Sequence, residues 1–280
     1  MNFRCPVGGK PVCLAIMYVR AFSTLGCAEL SLDEAQALAR RHRIPAIELR
    51  ALGGTTDLPA WFAANFASPA ALADQQAASD CRVVALDSSW RLIDGTPADR
   101  ESLLALLPWA RALGVRWLRV FDGGATLDGQ TLAQAAEALA WWRRVRDERQ
   151  LQVDLMIETH DVLLDARRIQ RFLAALPDGR AALLWDAHHT WRKGGEDPRR
   201  TWQAIRPHVV HVHVKDSVGR PSARHPFTYV LPGTGDFPMA PLRETLATEF
   251  TGTVSLEWER LWHPDLPPLD AALAAARSWW

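Results

Sequence analysis

The stretch Val209-Val-His-Val-His-Val-Lys-Asp216 (VVHVHVKD) decides how the chain is read. Its valines favour a strand, and a strand sends successive side chains to opposite faces. On that alternation Val210, Val212 and Val214 share one face, while His211, His213 and Lys215 share the other with Val209. The valine face packs on something dry. A face bearing two imidazoles and an ammonium must meet water, a metal or a substrate.

Similar short runs recur along the chain. Strands are expected at Met17–Phe22, Ala46–Arg50, Arg82–Asp87, Val115–Phe121, Gln152–Glu158, Ala182–Asp186, Val209–Val214 and Thr253–Glu257. Amphipathic segments separate them. SLDEAQALARRH carries a capping box, with Ser31 as N-cap and Glu34 three residues on. PADRESLLALLPWARALG ends on Gly114, a helix stop, with Pro108 inside it as a bend. TLAQAAEALAWWRRVRDERQ, DVLLDARRIQRFLAAL and LDAALAAARSW also have helical spacing. Eight β-α units imply parallel strands joined by right-handed crossovers. The α/β fold expected is therefore a closed (β/α)8 TIM barrel in a single domain over residues 17–280, with 1–16 as an N-terminal extension. A doubly wound sheet is the alternative, but it usually needs fewer strands. The 280 residues are near the ~250 typical of such barrels. Two segments, Ala51–Asp80 and Ser217–Pro238, exceed ordinary strand-to-helix loops and are expected to lie over the catalytic face.

The charge balance narrows the partners. Lys+Arg and Asp+Glu are both 32, so nothing in the bulk charge favours nucleic acid or an anionic membrane. No apolar run reaches the ~20 residues of a membrane helix. Cys5, Cys13, Cys27 and Cys81 form neither a CxxC pair nor a zinc-finger spacing, and read as reduced thiols of a cytoplasmic protein. A small-molecule substrate is the partner expected. The sequence leaves oligomeric state open.

Alternation in the other strands places carboxylates at their C-terminal ends. In VDLMIETH, Asp154, Met156, Glu158 and His160 oppose Val153, Leu155 and Ile157. In ALLWDAHH, Leu184 and Asp186 oppose Leu183 and Trp185; in TVSLEWE, Ser255, Glu257 and Glu259 oppose Val254, Leu256 and Trp258. Barrel active sites lie at that end. Glu158, Asp186, His213 and Glu257 therefore converge from four consecutive strands. Three crowded carboxylates raise one another's pKa, and a divalent cation removes the conflict. Three oxygens and one imidazole suit manganese, magnesium, cobalt or zinc.

With FSTLGCAELSLDEA, IELR, LRVF, MIETH, WDAHH, HVHVKDS and SLEWE in view, the sequence resembles the xylose-isomerase-like superfamily of metal-dependent sugar isomerases and epimerases, over about residues 20–265. The resemblance implies metal ligands at Glu158, Asp186, His213 and Glu257, with His213 preferred to His211 because it heads the HVKD segment. It also implies a substrate contact at His189, three residues after the aspartate. The expected chemistry is proton transfer through an enediolate, with Glu158 and Glu257 as acid and base on opposite sides of a sugar or sugar phosphate. Isomerisation, epimerisation and loss of a β-hydroxyl, as in a keto-polyol dehydratase, all use such a site.

Other residues have two readings each. Lys215, Arg50, Arg119, Glu48 and His263 are candidates to touch substrate; the arginines equally suit neutralising barrel carboxylates, and Lys215 equally suits pairing with Asp216 at the strand end. His211 reads as a core histidine or as a brace for a ligand. His42, His208 and His225 are expected at the surface, and Trp61, Trp90, Trp191 and Trp262 are candidates for stacking on a sugar. GTGDF is a lone GxG, better read as a turn than as a phosphate loop. The strand ends ALDSSW and RVFDGG lack the histidines of the superfamily's three-zinc DNA-repair endonucleases, which argues against a nuclease. A non-catalytic sugar-binding barrel conflicts with retention of all four ligand types.

Overall fold

The alternation in the stretch Val209–Val214 slips once. Val209, Val212 and Val214 pack into the main apolar core, but Val210 packs with Ala85, Met156 and Leu184 inside the barrel. The pairing shows why: Leu183 lies opposite Val209, whereas Leu184 lies opposite His211. Val210 is the extra residue of a bulge. The expected assignments of Val209 and Val210 are thus exchanged, while His211 and His213 keep the inward face.

A computed structural model describes residues 16–277. Its strands are β1 (Val19–Ser23), β2 (Ala46–Leu49), β3 (Arg82–Ile93), β4 (Trp117–Gly123), β5 (Asp154–Glu158), β6 (Leu183–Asp186), β7 (Val209–Val214), β8 (Asp216–Val218), β9 (Thr228–Val230) and β10 (Thr253–Leu256). Eight of them close into a barrel in the order β1-β10-β7-β6-β5-β4-β3-β2, and every neighbouring pair is parallel. The expected (β/α)8 barrel is what forms. Cys5, Cys13 and nearly all of the expected N-terminal extension lie outside the described residues, as does the end of LDAALAAARSW.

Apolar residues facing away from the barrel axis, such as Ile47, Leu118, Ile157, Trp185 and Leu256, form one continuous core with the helices. Those helices are α1 (Leu32–Arg41), α2 (Leu58–Asn65), α3 (Pro69–Ala77), α4 (Pro97–Ala105), α5 (Leu107–Leu113), α6 (Gly129–Glu148), α7 (Ala166–Ala175), α8 (Ala187–Arg192), α9 (Pro198–Ile205), α10 (Met239–Glu249) and α11 (Leu269–Ala276). The Ser31 capping box forms, with the Glu34 carboxylate accepting from the Ser31 N–H at 2.8 Å. Pro108 divides its segment into α4 and α5, since proline is tolerated in a first helical turn but not within a helix.

The two long segments behave differently. The stretch 51–80 holds α2 and α3, and α3 packs against α5 in the helix layer. It does not line the large cavity at the strand C-termini. The stretch 217–238 does reach that face. It carries the antiparallel ribbon of β8 and β9, and contributes Arg224, His225 and Tyr229 to the cavity wall.

Asp216 pins that ribbon. Its carboxylate accepts N–H bonds from Ser217, Gly233, Gly235 and Phe237 at 2.8–3.1 Å. The amides of the GTGDF turn are therefore committed to an internal carboxylate. A Cβ on Gly235 would stand 2.2 Å from Asp216 Oδ1, so only glycine admits this approach.

Candidate metal centre

Each of four side chains reaches the barrel mouth by its place on a strand. Glu158 ends β5, and Asp186 ends β6 and caps α8 through its bond from the His189 N–H at 2.8 Å. His213 lies in β7, and Glu257 directly follows β10. One ligand atom from each lies within 4.8 Å of the others, and all four residues are buried. His213 Nδ1 is 3.6 Å from Glu158 Oε1 and 3.4 Å from Glu257 Oε2. Glu158 Oε2, Asp186 Oδ2 and His213 Nδ1 are buried without a properly directed hydrogen bond. Buried polar atoms rarely stay unsatisfied. Glu158 Oε2 and Asp186 Oδ2 meet the Arg119 and Lys215 charges at 3.2 and 2.9 Å instead, while His213 Nδ1 faces the carboxylates; this small cluster of oxygen and nitrogen donors fits a divalent cation, and the donor set suits manganese, magnesium, cobalt or zinc.

Charges around the cluster compensate one another. The Lys215 ammonium touches Glu257, and lies 2.9 Å from Asp186 and 2.6 Å from Glu259. Burial works against its charge, but these three carboxylates hold its pKa well above the ordinary lysine value. Arg119 packs under the Phe121 ring, 3.2 Å from Glu158 and 3.7 Å from Asp87. Burial raises Glu158, but the Arg119 charge and the neighbouring His213 together outweigh it and the carboxyl falls to about 2. Burial also pushes Asp186 up to about 6 against the pull of Lys215. Burial and the Glu48 charge push Asp87 up to about 8.

Behind His213 stands Glu48. One of its oxygens lies 2.8 Å from His213 Nε2 and the other 2.6 Å from His211 Nε2. Burial disfavours the Glu48 charge, but His213 and His211 hold its carboxyl well below the usual range. The contact occupies Nε2 of His213 and leaves Nδ1 facing the carboxylate cluster. A carboxylate behind a ligating imidazole fixes its tautomer and orientation.

The four groups sit at or just beneath the floor of a cavity of about 510 Å³. Glu158 and Glu257 are on its wall, together with Arg50, Arg119, His189 and His263. Arg50 donates to Ser89 Oγ at 2.9 Å, while its buried Nη1 has no partner. His189 donates through Nδ1 to the Thr159 carbonyl at 3.3 Å, and burial keeps the ring neutral. Glu48 and Lys215 do not line the cavity: both, expected as substrate contacts, are fully engaged below it. Of the four tryptophans expected near substrate, only Trp262 lines it. Trp90 is buried in β3, Trp61 lies on α2, and Trp191 packs against Phe237. A larger cavity of about 1210 Å³ opens beside α5 and the starts of β4 and β5. It has no carboxylate or histidine on its wall, so the chemistry belongs to the smaller one.

Sequence reading missed several wall residues. His160 follows Glu158 by two and pairs with Asp161 at 2.8 Å. Glu259 follows Glu257 by two, a spacing that already put both on one face. His225, expected at the surface, stacks on Phe227 and lines the cavity. His42, also expected at the surface, is buried, 3.0 Å from Asp270. No local pattern announces either histidine, because each is covered by a segment distant in sequence.

The comparisons with known proteins agree with the barrel fold. A family model described as xylose isomerase-like TIM barrel matches residues 29–280. A search of curated proteins returns no match. Among solved structures, the probable 3-DHS dehydratase AsbF from Bacillus anthracis superposes with a TM-score of 0.70 at 16% identity, covering 91% of this chain and 97% of that one. The IOLI protein with a bound zinc atom gives 0.70 at 16% identity, covering 93% and 95%. D-psicose 3-epimerase from Clostridium cellulolyticum H10, with D-tagatose, gives 0.65 at 15% identity, covering 92% and 96%. At these identities the structural likeness speaks for the fold alone.

Proposed function

The chain belongs to the xylose isomerase-like TIM barrel family, and from that premise we propose that it is a divalent-metal-dependent isomerase or epimerase of a sugar or sugar phosphate. One observation carries the reading: Glu158, Asp186, His213 and Glu257 converge, all buried, at the floor of a cavity large enough for a small carbohydrate. Glu158, Asp186, His213 and Glu257 would hold the ion, whose Lewis acidity would polarise a substrate carbonyl and acidify the neighbouring C–H.

The chain's own residues divide the remaining work. Glu158 and Glu257 reach the wall from β5 and from the end of β10, so they approach a bound substrate from different sides. Both carboxyls are held below their usual range, after burial is opposed by Arg119 for Glu158 and by Lys215 and His213 for Glu257. Both are therefore ionised and able to accept a proton at neutral pH; the one that accepts then returns it or passes the role to the other. Return to the adjacent carbon is isomerisation, and return to the opposite face of the same carbon is epimerisation. Arg50 offers its free Nη1 to substrate oxygen, and neutral His189 holds a position on the wall. Arg119 keeps Glu158 ionised and in place.

A second reading has its own support. Arg50, Arg91, Arg119, Lys193 and Arg224 all line the cavity, which suits a substrate bearing an acidic group. Dehydration of an acidic keto-polyol begins with the same proton removal.

Incubation of the manganese-loaded protein with ketoses, aldoses, their phosphates and cyclic keto acids in deuterated water, followed by NMR, tests the proposal. Wild type is expected to introduce deuterium next to a carbonyl, and Glu257→Gln to lose at least about 10²-fold of that rate. New ultraviolet absorbance without a ketose–aldose change would favour the dehydratase. Absence of both across the panel counts against the proposal.

A further inference from the structure

Above the floor cluster, the cavity mouth holds another convergence of metal-competent atoms. His225 comes from the turn joining β8 to β9, Glu259 lies two residues past Glu257, and His263 follows four residues later. One ligand atom of each lies within 4.8 Å of the others, and all three residues line the cavity.

The free atoms are the informative feature. Glu259 Oε1 accepts from the Tyr229 hydroxyl at 2.7 Å and from Lys215 at 2.6 Å. Both bonds fall on one oxygen, so Oε2 takes no hydrogen bond among the described residues. His263 is 7% exposed, and its Nε2 is buried without a partner. Among the described residues, the ring nitrogens of His225 have no hydrogen bond either. Stacking on Phe227 at 4.9 Å and packing against His263 at 5.3 Å hold its ring in place. Burial lowers both imidazoles below their ordinary pKa, which keeps a lone pair on each.

Among the described residues, two other groupings of this kind do not compare. Asp122 spends its carboxylate on the N–H groups of Gly123, Asp161, Val162 and Leu163. Glu48 is closed against His211 and His213 beneath the floor.

We propose that His225, Glu259 and His263 form a second divalent-cation site at the cavity mouth, of the two-imidazole, one-carboxylate type. Two imidazole nitrogens favour zinc, cobalt or iron(II) over magnesium or calcium. Three protein ligands leave positions for water or for substrate oxygens entering the cavity. Tyr229 and Lys215 orient the carboxylate, as hydrogen-bonding partners of metal ligands do. Lys215 also touches Asp186 and Glu257, so one ammonium separates the two sites. With a single carboxylate beside that positive charge, the mouth binds its ion more weakly than the floor. The site does not depend on which reaction the floor supports.

The test is metal stoichiometry of untagged, chelator-stripped protein dialysed against cobalt(II), read by elemental analysis and by the cobalt visible spectrum. Wild type is expected to take up two ions per chain, the second more weakly. His263→Ala and His225→Asn should each retain one, His213→Ala should retain the other, and the pair His213→Ala/His263→Ala should retain none. His225→Asn lies on a half-buried turn, so circular dichroism on this variant separates loss of the site from loss of fold. The proposal is overturned if wild type binds a single ion that His213→Ala removes and His263→Ala spares. It is also overturned if no ion binds, or if two bind irrespective of His225 and His263. A single ion removed by His263→Ala and spared by His213→Ala would support the mouth site and overturn the floor reading.

Discussion

Glu48 shows how much one buried carboxylate decides. It touches no cavity, yet it holds the imidazole whose other nitrogen faces Glu158 and Glu257. Replacement by glutamine keeps the volume and removes the charge. We expect Glu48→Gln to weaken metal binding about 10–100-fold while leaving the fold intact, measured by calorimetric titration with manganese. Unchanged affinity would make Glu48 only a neutraliser of His211. The cysteines give a second residue-scale prediction. Burial pushes the Cys27 thiol up to about 12 and Cys81 up to about 11. The thiolate is the reactive form. At pH 8 both should resist iodoacetamide in the folded protein and react on unfolding, as peptide mass spectrometry would record.

Among the elements, the β8–β9 ribbon bears directly on the cavity. It delivers His225, Tyr229 and Arg224 to the cavity and hangs from Asp216. Removing an acceptor that serves four N–H groups leaves several of them unpaired, each costing about 1–3 kcal/mol if it stays buried. Asp216→Ala should therefore raise hydrogen exchange at residues 217 and 233–237 well before the barrel strands are affected. Uniform protection across the chain would contradict that. The eight strands were legible because their alternation is local, and Glu158, Asp186 and Glu257 because each stands at the end of such a run. The bulge at Val210 was not legible, since register against β6 depends on a partner strand about 25 residues away. The helices in 51–80 were missed because α2 and α3 are short and have little amphipathic contrast to separate them from loop.

For the whole molecule, the floor cluster is a concentration of buried charge offset by Lys215, Arg119 and Glu48's two imidazoles. A ligand that binds only the folded state stabilises it by about 2.7 kcal/mol at a hundred times its Kd. Manganese should therefore raise the melting temperature by several degrees, and His213→Ala should lose most of that rise. The closed barrel was readable from repetition, since eight β-α units leave few topologies. The mouth was not: His225 and His263 meet only because a ribbon folds over the end of β10.

The most direct test is anomalous diffraction at the manganese edge from crystals grown with the ion. A peak bonded to Glu158, Asp186, His213 and Glu257 is expected, with Lys215 displaced from at least one of its carboxylates. Clear density for these side chains in their metal-free ion pairs, with no peak among them at saturating manganese, would contradict it.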